Sequence, residues 1–330
     1  MEKRGDMTAP AIITLVLAIT AFGILLIVLI YIASDFKNYS SDEVCRLAVL
    51  TRATAPSGAS YVPLKCTTKK ICITNDKNCA EFAAEKNPEE KKISKECTEN
   101  TCKAAREVEK EITNAMYDCW NMMGQGKLSL FSTAAQDAGF NPSVVTCVIC
   151  SRLAFNLADE KNVLGKVDIQ NYIKNTQVPG SSLTYLQTFT DRSVNSYAPL
   201  SEKIQTTPVD VTFQTQTTEL AVVFSQVQPG DYKKALEGII SLGATAAGAA
   251  FVTPLIPKGQ ALVVIGLATT GAAIYSMSSL HYSKNVISAG YCGTLTSDKK
   301  EARNGCSAIQ VIPYETAAIN QICKQIEGTP

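Results

Sequence analysis

Ala11–Ala33 reads AIITLVLAITAFGILLIVLIYIA, a stretch with no charged residue and no proline. Its polar side chains are Thr14, Thr20 and Tyr31. As a helix rising about 1.5 Å per residue it would measure roughly 34 Å, enough to cross a bilayer core of about 30 Å. A secretory signal has an apolar core of only about 7–15 residues, so the stretch reads as an uncleaved transmembrane anchor. Residues 1–10 then form a short cytoplasmic tail, 11–33 the anchor, and the bulk of the chain lies outside. The lipid bilayer is the first expected partner.

The cysteines bear on the topology more than charge does. All twelve of the 330-residue chain follow the anchor: Cys45, Cys66, Cys72, Cys79, Cys97, Cys102, Cys119, Cys147, Cys150, Cys292, Cys306 and Cys323. An even number confined to one side of a membrane helix indicates a disulfide framework in an oxidising compartment, with the pairing left open. The flanks of the anchor carry Lys3 and Arg4 before it and Lys37 and Arg46 after it, so the positive-inside rule is nearly silent. The net charge of +1 creates no global field to attract nucleic acid. Asn38-Tyr39-Ser40 is a glycosylation acceptor pattern just beyond the anchor, making Asn38 a candidate modification site.

Residues 34–230 read as a cysteine-rich α+β ectodomain. Ser34–Pro56 continues helically with an apolar stripe of Val44, Leu47, Ala48 and Leu50, until Ala55-Pro56-Ser57-Gly58 breaks it. Tyr61–Thr74 has the β-branched alternation of two short strands, and Asn75–Asn100 reads as a charged, solvated connection. Lys103–Met123 is the clearest soluble helix, because Val108, Ile112, Ala115, Met116, Cys119 and Met123 recur at three- and four-residue steps. Gly124 and Gly126 end it, and Trp120 is expected in the core. Asn141-Pro142 resembles a helix cap with a first-turn proline, and Ser143–Ala158 suits strand or helix equally. Lys166–Thr190 predicts two short helices about Val178-Pro179-Gly180, and Val209–Val227 a hairpin closed by Gln228-Pro229-Gly230.

Residues 231–283 form a second apolar region, a helical hairpin of Ile239–Ile256 and Ala261–Leu280 about Pro257-Lys258-Gly259-Gln260. Small residues at helix-packing spacing (Gly243 with Ala247, Ala244 with Gly248, Gly266, Ala268 with Ala272) allow close backbone approach, in a membrane or inside a protein. These are the candidate self-association residues. Both placements return residues 284–330, with Cys292, Cys306 and Cys323, to the ectodomain.

Chemistry is sparse. One histidine, His281, excludes a multi-histidine zinc site and leaves a serine triad no choice of base. Cys147-Val-Ile-Cys150 has the spacing of a redox pair or half a zinc site, but its apolar neighbours favour structural disulfides. No phosphate loop, dinucleotide fingerprint or calcium loop occurs. No catalytic residue, cofactor or metal is therefore expected, and no nucleic acid.

Two resemblances add to this. Lys3-Arg4-Gly5 ahead of a long apolar helix is similar to the processing signal of archaeal type IV pilins, which implies cleavage after Gly5 and packing of the helix in a filament. The series Pro63–Thr67 (PLKCT), Asp118–Trp120 (DCW) with Gly126-Lys127, Cys147–Arg152 (CVICSR), Ile312–Glu315 (IPYE) and Cys323 resembles uncharacterised, N-terminally anchored, cysteine-rich surface proteins of small-genome archaea. That likeness implies an envelope location and assigns no activity. The expectation is an anchored extracytoplasmic envelope protein that binds, adheres or assembles, through self-association or another envelope protein. The alternatives are a pilin-like subunit and a thiol-redox protein using Cys147 and Cys150.

Overall fold

Lys103–Met122 forms a 20-residue helix, α2, and buries the apolar set that its periodicity marks. Val108, Ile112, Ala115, Met116, Cys119 and Trp120 are all 0–4% exposed. The helix ends where Gly124, Gln125 and Gly126 take positive φ in succession. Gly126 has no substitute: its φ is 69°, and a Cβ there would lie 2.3 Å from the Trp120 ring. The computed structural model describes residues 17–24, 26, 41–56, 59–76, 78–85, 88–190, 219–228, 261–264, 287–296 and 303–328.

Around α2 the described elements are α1 (Ser41–Thr54), β1 (Lys69–Thr74), β2 (Glu89–Lys92), α3 (Thr133–Asp137), β3 (Thr146–Asn156), α4 (Glu160–Gly165), α5 (Ile169–Asn175), α6 (Tyr185–Phe189), β4 (Glu219–Val227), β5 (Ala261–Val264), β6 (Ile287–Leu295), β7 (Arg303–Pro313), α7 (Thr316–Ile322) and β8 (Gln325–Glu327). The strands make one mixed sheet in the order β2-β1-β3-β4-β7-β6-β5, with β8 added beside β3. β1 runs parallel to β2 and β3, while β3, β4, β7, β6 and β5 alternate antiparallel. One edge of β3 is shared: its C-terminal half takes β1 and its first residues take β8, also parallel. The α+β class is as expected, with strands from both ends of the chain joined in one sheet.

The sheet has two buried faces. On the helical face Val148, Leu153, Phe155, Val222, Phe224 and Val311 pack under α2, with α1, α5 and α6 beside it. On the opposite face Cys147, Ile149, Ala221, Val223, Ala308 and Ile312 pack with Ile319 and Cys323 of the C-terminal segment. Burial on both sides explains why Ser143–Ala158 shows no regular alternation of polar and apolar residues. β-Branched Thr146, Val148 and Ile149 favour this strand form.

Several expectations are corrected. Tyr61–Thr74 holds one regular strand, β1, not two. The charged connection Asn75–Asn100 contains the edge strand β2, whose sequence EEKK suits a sheet edge that must not pair further. Asn141-Pro142 caps no helix: the Asn141 Oδ1 accepts from the Ser143 amide (2.9 Å) and the Pro142 carbonyl from the Gln228 amide (2.7 Å), forming a turn into β3. Of the hairpin predicted within Val209–Val227, residues 209–218 lie outside the described residues; the described part is β4, whose two edges are taken by β3 and β7. The apolar stripe of α1 is rotated, burying Cys45, Ala48, Val49, Arg52 and Ala53 while Leu47 and Leu50 stay 50% and 46% exposed. Ala261–Val264, expected to begin a helix, is instead β5, paired antiparallel with β6 from Ala261 opposite Tyr291 to Val264 opposite Ser288.

Other expectations hold. The two helices of Lys166–Thr190 are α5 and α6, separated as the Val178-Pro179-Gly180 break requires. Thr184 caps α6 with a reciprocal Thr184–Gln187 capping box. No helix among the described residues is long and apolar enough to cross a membrane. Of residues 11–33 the described ones, 17–24 and 26, are helical. Residues 239–256 and 265–280 lie outside the described residues.

Candidate functional site

The Cys147-x-x-Cys150 motif lies in the middle of β3, and strand geometry decides its chemistry. Successive side chains of a strand point to opposite faces, so an offset of three separates the two sulfurs; on a helix the same spacing would bring them together. Cys150 bonds Cys119 of α2 on the helical face, and Cys147 bonds Cys323 on the other. The vicinal pair expected of a redox C-x-x-C is therefore not formed, and both cysteines are buried, at 0% and 2% exposed.

The remaining candidates sort similarly. Cys45 bonds Cys66, tying α1 to the approach of β1, and Cys72 bonds Cys79, closing the turn after β1. Cys97 bonds Cys102 immediately before α2. Cys306 is also disulfide-bonded, and the register sets Cys292 directly opposite it. Among the described residues no cysteine is free and no group of three metal-ligating side chains occurs. Asn38, Gly243, Ala247, Gly248, Gly266, Ala268, Ala272 and His281 lie outside the described residues.

Among the described residues, one polar constellation centred on Arg52 is not visible in the sequence. Arg52, 1% exposed, is held by Glu327 of β8 through a bidentate pair and donates to the Val62 carbonyl as well (Nε to O, 2.8 Å). Glu327 also accepts from the Tyr61 hydroxyl (2.7 Å) and the Leu64 amide (3.1 Å). The guanidinium faces the Tyr61 ring at 4.9 Å and the Phe140 ring at 5.8 Å. Burial, with Glu327 adjacent, raises the Tyr61 pKa above its ordinary value. Every charge here has its partner, so the cluster clasps the C-terminal strand to α1 and leaves no group to act on a ligand. No local signal in the sequence joins residues 275 positions apart.

A second arginine, Arg152, pairs with Glu219 through Nε (2.6 Å) and a terminal nitrogen (2.5 Å) between the rings of Phe82 (5.1 Å) and Tyr314 (4.8 Å). This joins β3, β4 and the chain after β7. Glu109 of α2 is different. It is 3% exposed, one oxygen accepts from the Asp168 amide at the start of α5 (2.7 Å), and the other makes no hydrogen bond. Burial raises its pKa, opposed in part by that amide. Tyr185, whose hydroxyl donates to the Asn114 side chain (2.9 Å), is pushed by burial up to about 12.

The motifs quoted for the archaeal resemblance sit at packing contacts. Leu64 and Cys66 meet the clasp and α1, Trp120 meets Phe189 edge-on and Phe224 at a tilt, Lys127 lies over Tyr291, and Tyr314 covers Arg152. The chain matches no protein-family model, no curated protein and no solved structure.

Proposed function

We propose that this chain is a membrane-anchored envelope protein whose disulfide-stapled α+β part faces an oxidising exterior, where it binds, adheres or assembles. The disulfide network carries this reading. Bonded cysteines sit on both faces of the sheet and in the segments before α2, and such bonds persist outside the cytosol but are kept reduced within it. The apolar stretch 11–33 supplies the anchor. Within it Leu17, Ile19, Phe22 and Ile24 are 61–64% exposed, an arrangement that costs free energy in water at about 25 cal/mol per Å² and none in hydrocarbon. The likeness to anchored archaeal surface proteins belongs to the same reading.

The test is to purify the protein from membranes without reductant and measure its intact mass and thiol content, after an alkaline carbonate wash and external protease treatment of intact cells. Retention through the wash, cleavage from outside, a start at Met1 or Glu2 and no free thiol are expected. Release by the wash, or several free thiols, would overturn the proposal. A start at Asp6 would replace it with the filament subunit, whose exposed apolar helix would pack against copies of itself.

A further inference from the structure

We propose that the Cys97–Cys102 disulfide is a thiol-exchange site, opened by an external dithiol and closed again by an external disulfide, while the other bonded cysteines serve as scaffold. Access sets it apart. Cys45, Cys66, Cys72, Cys79, Cys119, Cys147, Cys150, Cys306 and Cys323 are 0–5% exposed. Cys97 and Cys102 are only half-buried, packed against the margin of the core on the helical face.

Among the described disulfide pairs, opening this bond costs the fold the least chain entropy. Cys97 and Cys102 are five residues apart, so reduction releases less than half the loop-closure entropy released by opening Cys147–Cys323, which are 176 apart. The turn they close is held by other means. The Thr98 amide donates to the Thr101 carbonyl (2.8 Å) and the Thr101 amide to the Thr98 hydroxyl (3.2 Å). The Ala104 amide donates to the Glu96 carbonyl (3.1 Å), and the Lys166 ammonium donates to the Thr98 carbonyl (2.5 Å). These bonds hold the two sulfurs together after reduction, so re-formation of the bond is an intramolecular step.

The helix decides which sulfur leaves. Cys102 is the N-cap of the 20-residue α2, whose first turn contains no acid and begins with Lys103. A thiolate there is stabilised by the helix N-terminus, which makes it the better leaving group. An external thiolate therefore bonds the Cys97 sulfur, the Cys97–Cys102 bond breaks, and its electron pair leaves on Cys102. The second thiol of the reagent, as thiolate, attacks its own sulfur in the mixed disulfide and releases Cys97, which takes up a proton. The dithiol loses two electrons to become a disulfide, and the protein disulfide gains two. A glutathione-type disulfide reverses the balance.

Cys72–Cys79 provides an internal comparison, since its separation is seven residues but its cysteines are 1% and 3% exposed. Loop length alone would open both bonds together; access separates them.

The experiment treats the native full chain with dithiothreitol for graded times, alkylates it with iodoacetamide, and maps the labelled peptides while far-UV circular dichroism monitors the fold. Labelling of Cys97 and Cys102 at least about tenfold faster than any other cysteine, with an unchanged spectrum, is expected. Added oxidised glutathione should abolish it. With glutathione alone and an acid quench, the adduct should map to Cys97. The proposal fails if Cys72 and Cys79 label in step, if Cys97 and Cys102 label only as the spectrum collapses, or if the adduct maps to Cys102. A Cys97→Ser/Cys102→Ser variant should lose the fast phase; its persistence there would place exchange elsewhere and overturn the assignment.

Discussion

The helical face of the sheet lies under a 20-residue helix and fills its core with Trp120, Tyr185, Phe189 and Phe224. The opposite face, under the seven-residue α7, uses smaller side chains such as Ala221, Val223 and Ala308. Both faces carry a disulfide from β3, but the loops differ: Cys119 and Cys150 are 31 residues apart, Cys147 and Cys323 are 176. The difference suggests a division of labour. Where a long helix buries aromatic volume, packing carries more of the layer and its cross-link closes the shorter loop. Where a short terminal helix covers the sheet, the cross-link restricts the unfolded chain more.

Removing the long-range bond should have the largest effect. Cys147→Ser with Cys323→Ser is expected to lose about 5 kcal/mol in urea unfolding, by loop-closure entropy, and the Cys119→Ser/Cys150→Ser pair about 1.5 kcal/mol less. Equal losses would break the comparison. Trp120→Ala should cost about 4 kcal/mol, as a cavity opens beneath Phe189 and Phe224. The same measurement on Arg52→Met should show a loss of about 3 kcal/mol, because Glu327 would remain buried without its partner.

The smallest effect is a pH dependence. Burial raises the Glu109 pKa in the folded state, so between the ordinary carboxyl value and the raised one the folded protein binds more protons than the unfolded chain. Stability should fall as pH rises through that window. Glu109→Gln, which keeps an acceptor for the Asp168 amide, should flatten this descent in chemical denaturation across pH 4–7. An unchanged slope would assign the descent to another group. At the alkaline end, Tyr185, held at about 12 by burial, should add a further loss as pH rises above the ordinary tyrosine value of 10.0.

Legibility of the fold follows the range of the interaction. The periodicity of Lys103–Met123, its glycine stop, the core placement of Trp120 and the two helices of Lys166–Thr190 are properties of neighbours three or four residues apart, which the sequence displays directly. The rotation of α1 was not legible. Its leucines suggested one stripe, but the Cys45–Cys66 bond and the Arg52–Glu327 pair turn another side inward. β5 was hidden because an apolar run of four residues fits strand and helix alike until β6 lies beside it.

By itself the sequence determined that the chain carries an apolar stretch of bilayer length, that twelve cysteines follow it, and that an amphipathic helix ending at Gly124 lies among them. The tertiary structure alone decided what those cysteines do. Whether Cys147 and Cys150 meet or part depends on whether β3 is strand or helix, and β3 is a strand because β1, β4 and β8 hydrogen-bond to it from 70 to 180 residues away, roughly, along the chain. Local composition carries no trace of such distant partners, since the same β-branched apolar residues are compatible with either period until a neighbour satisfies their backbone.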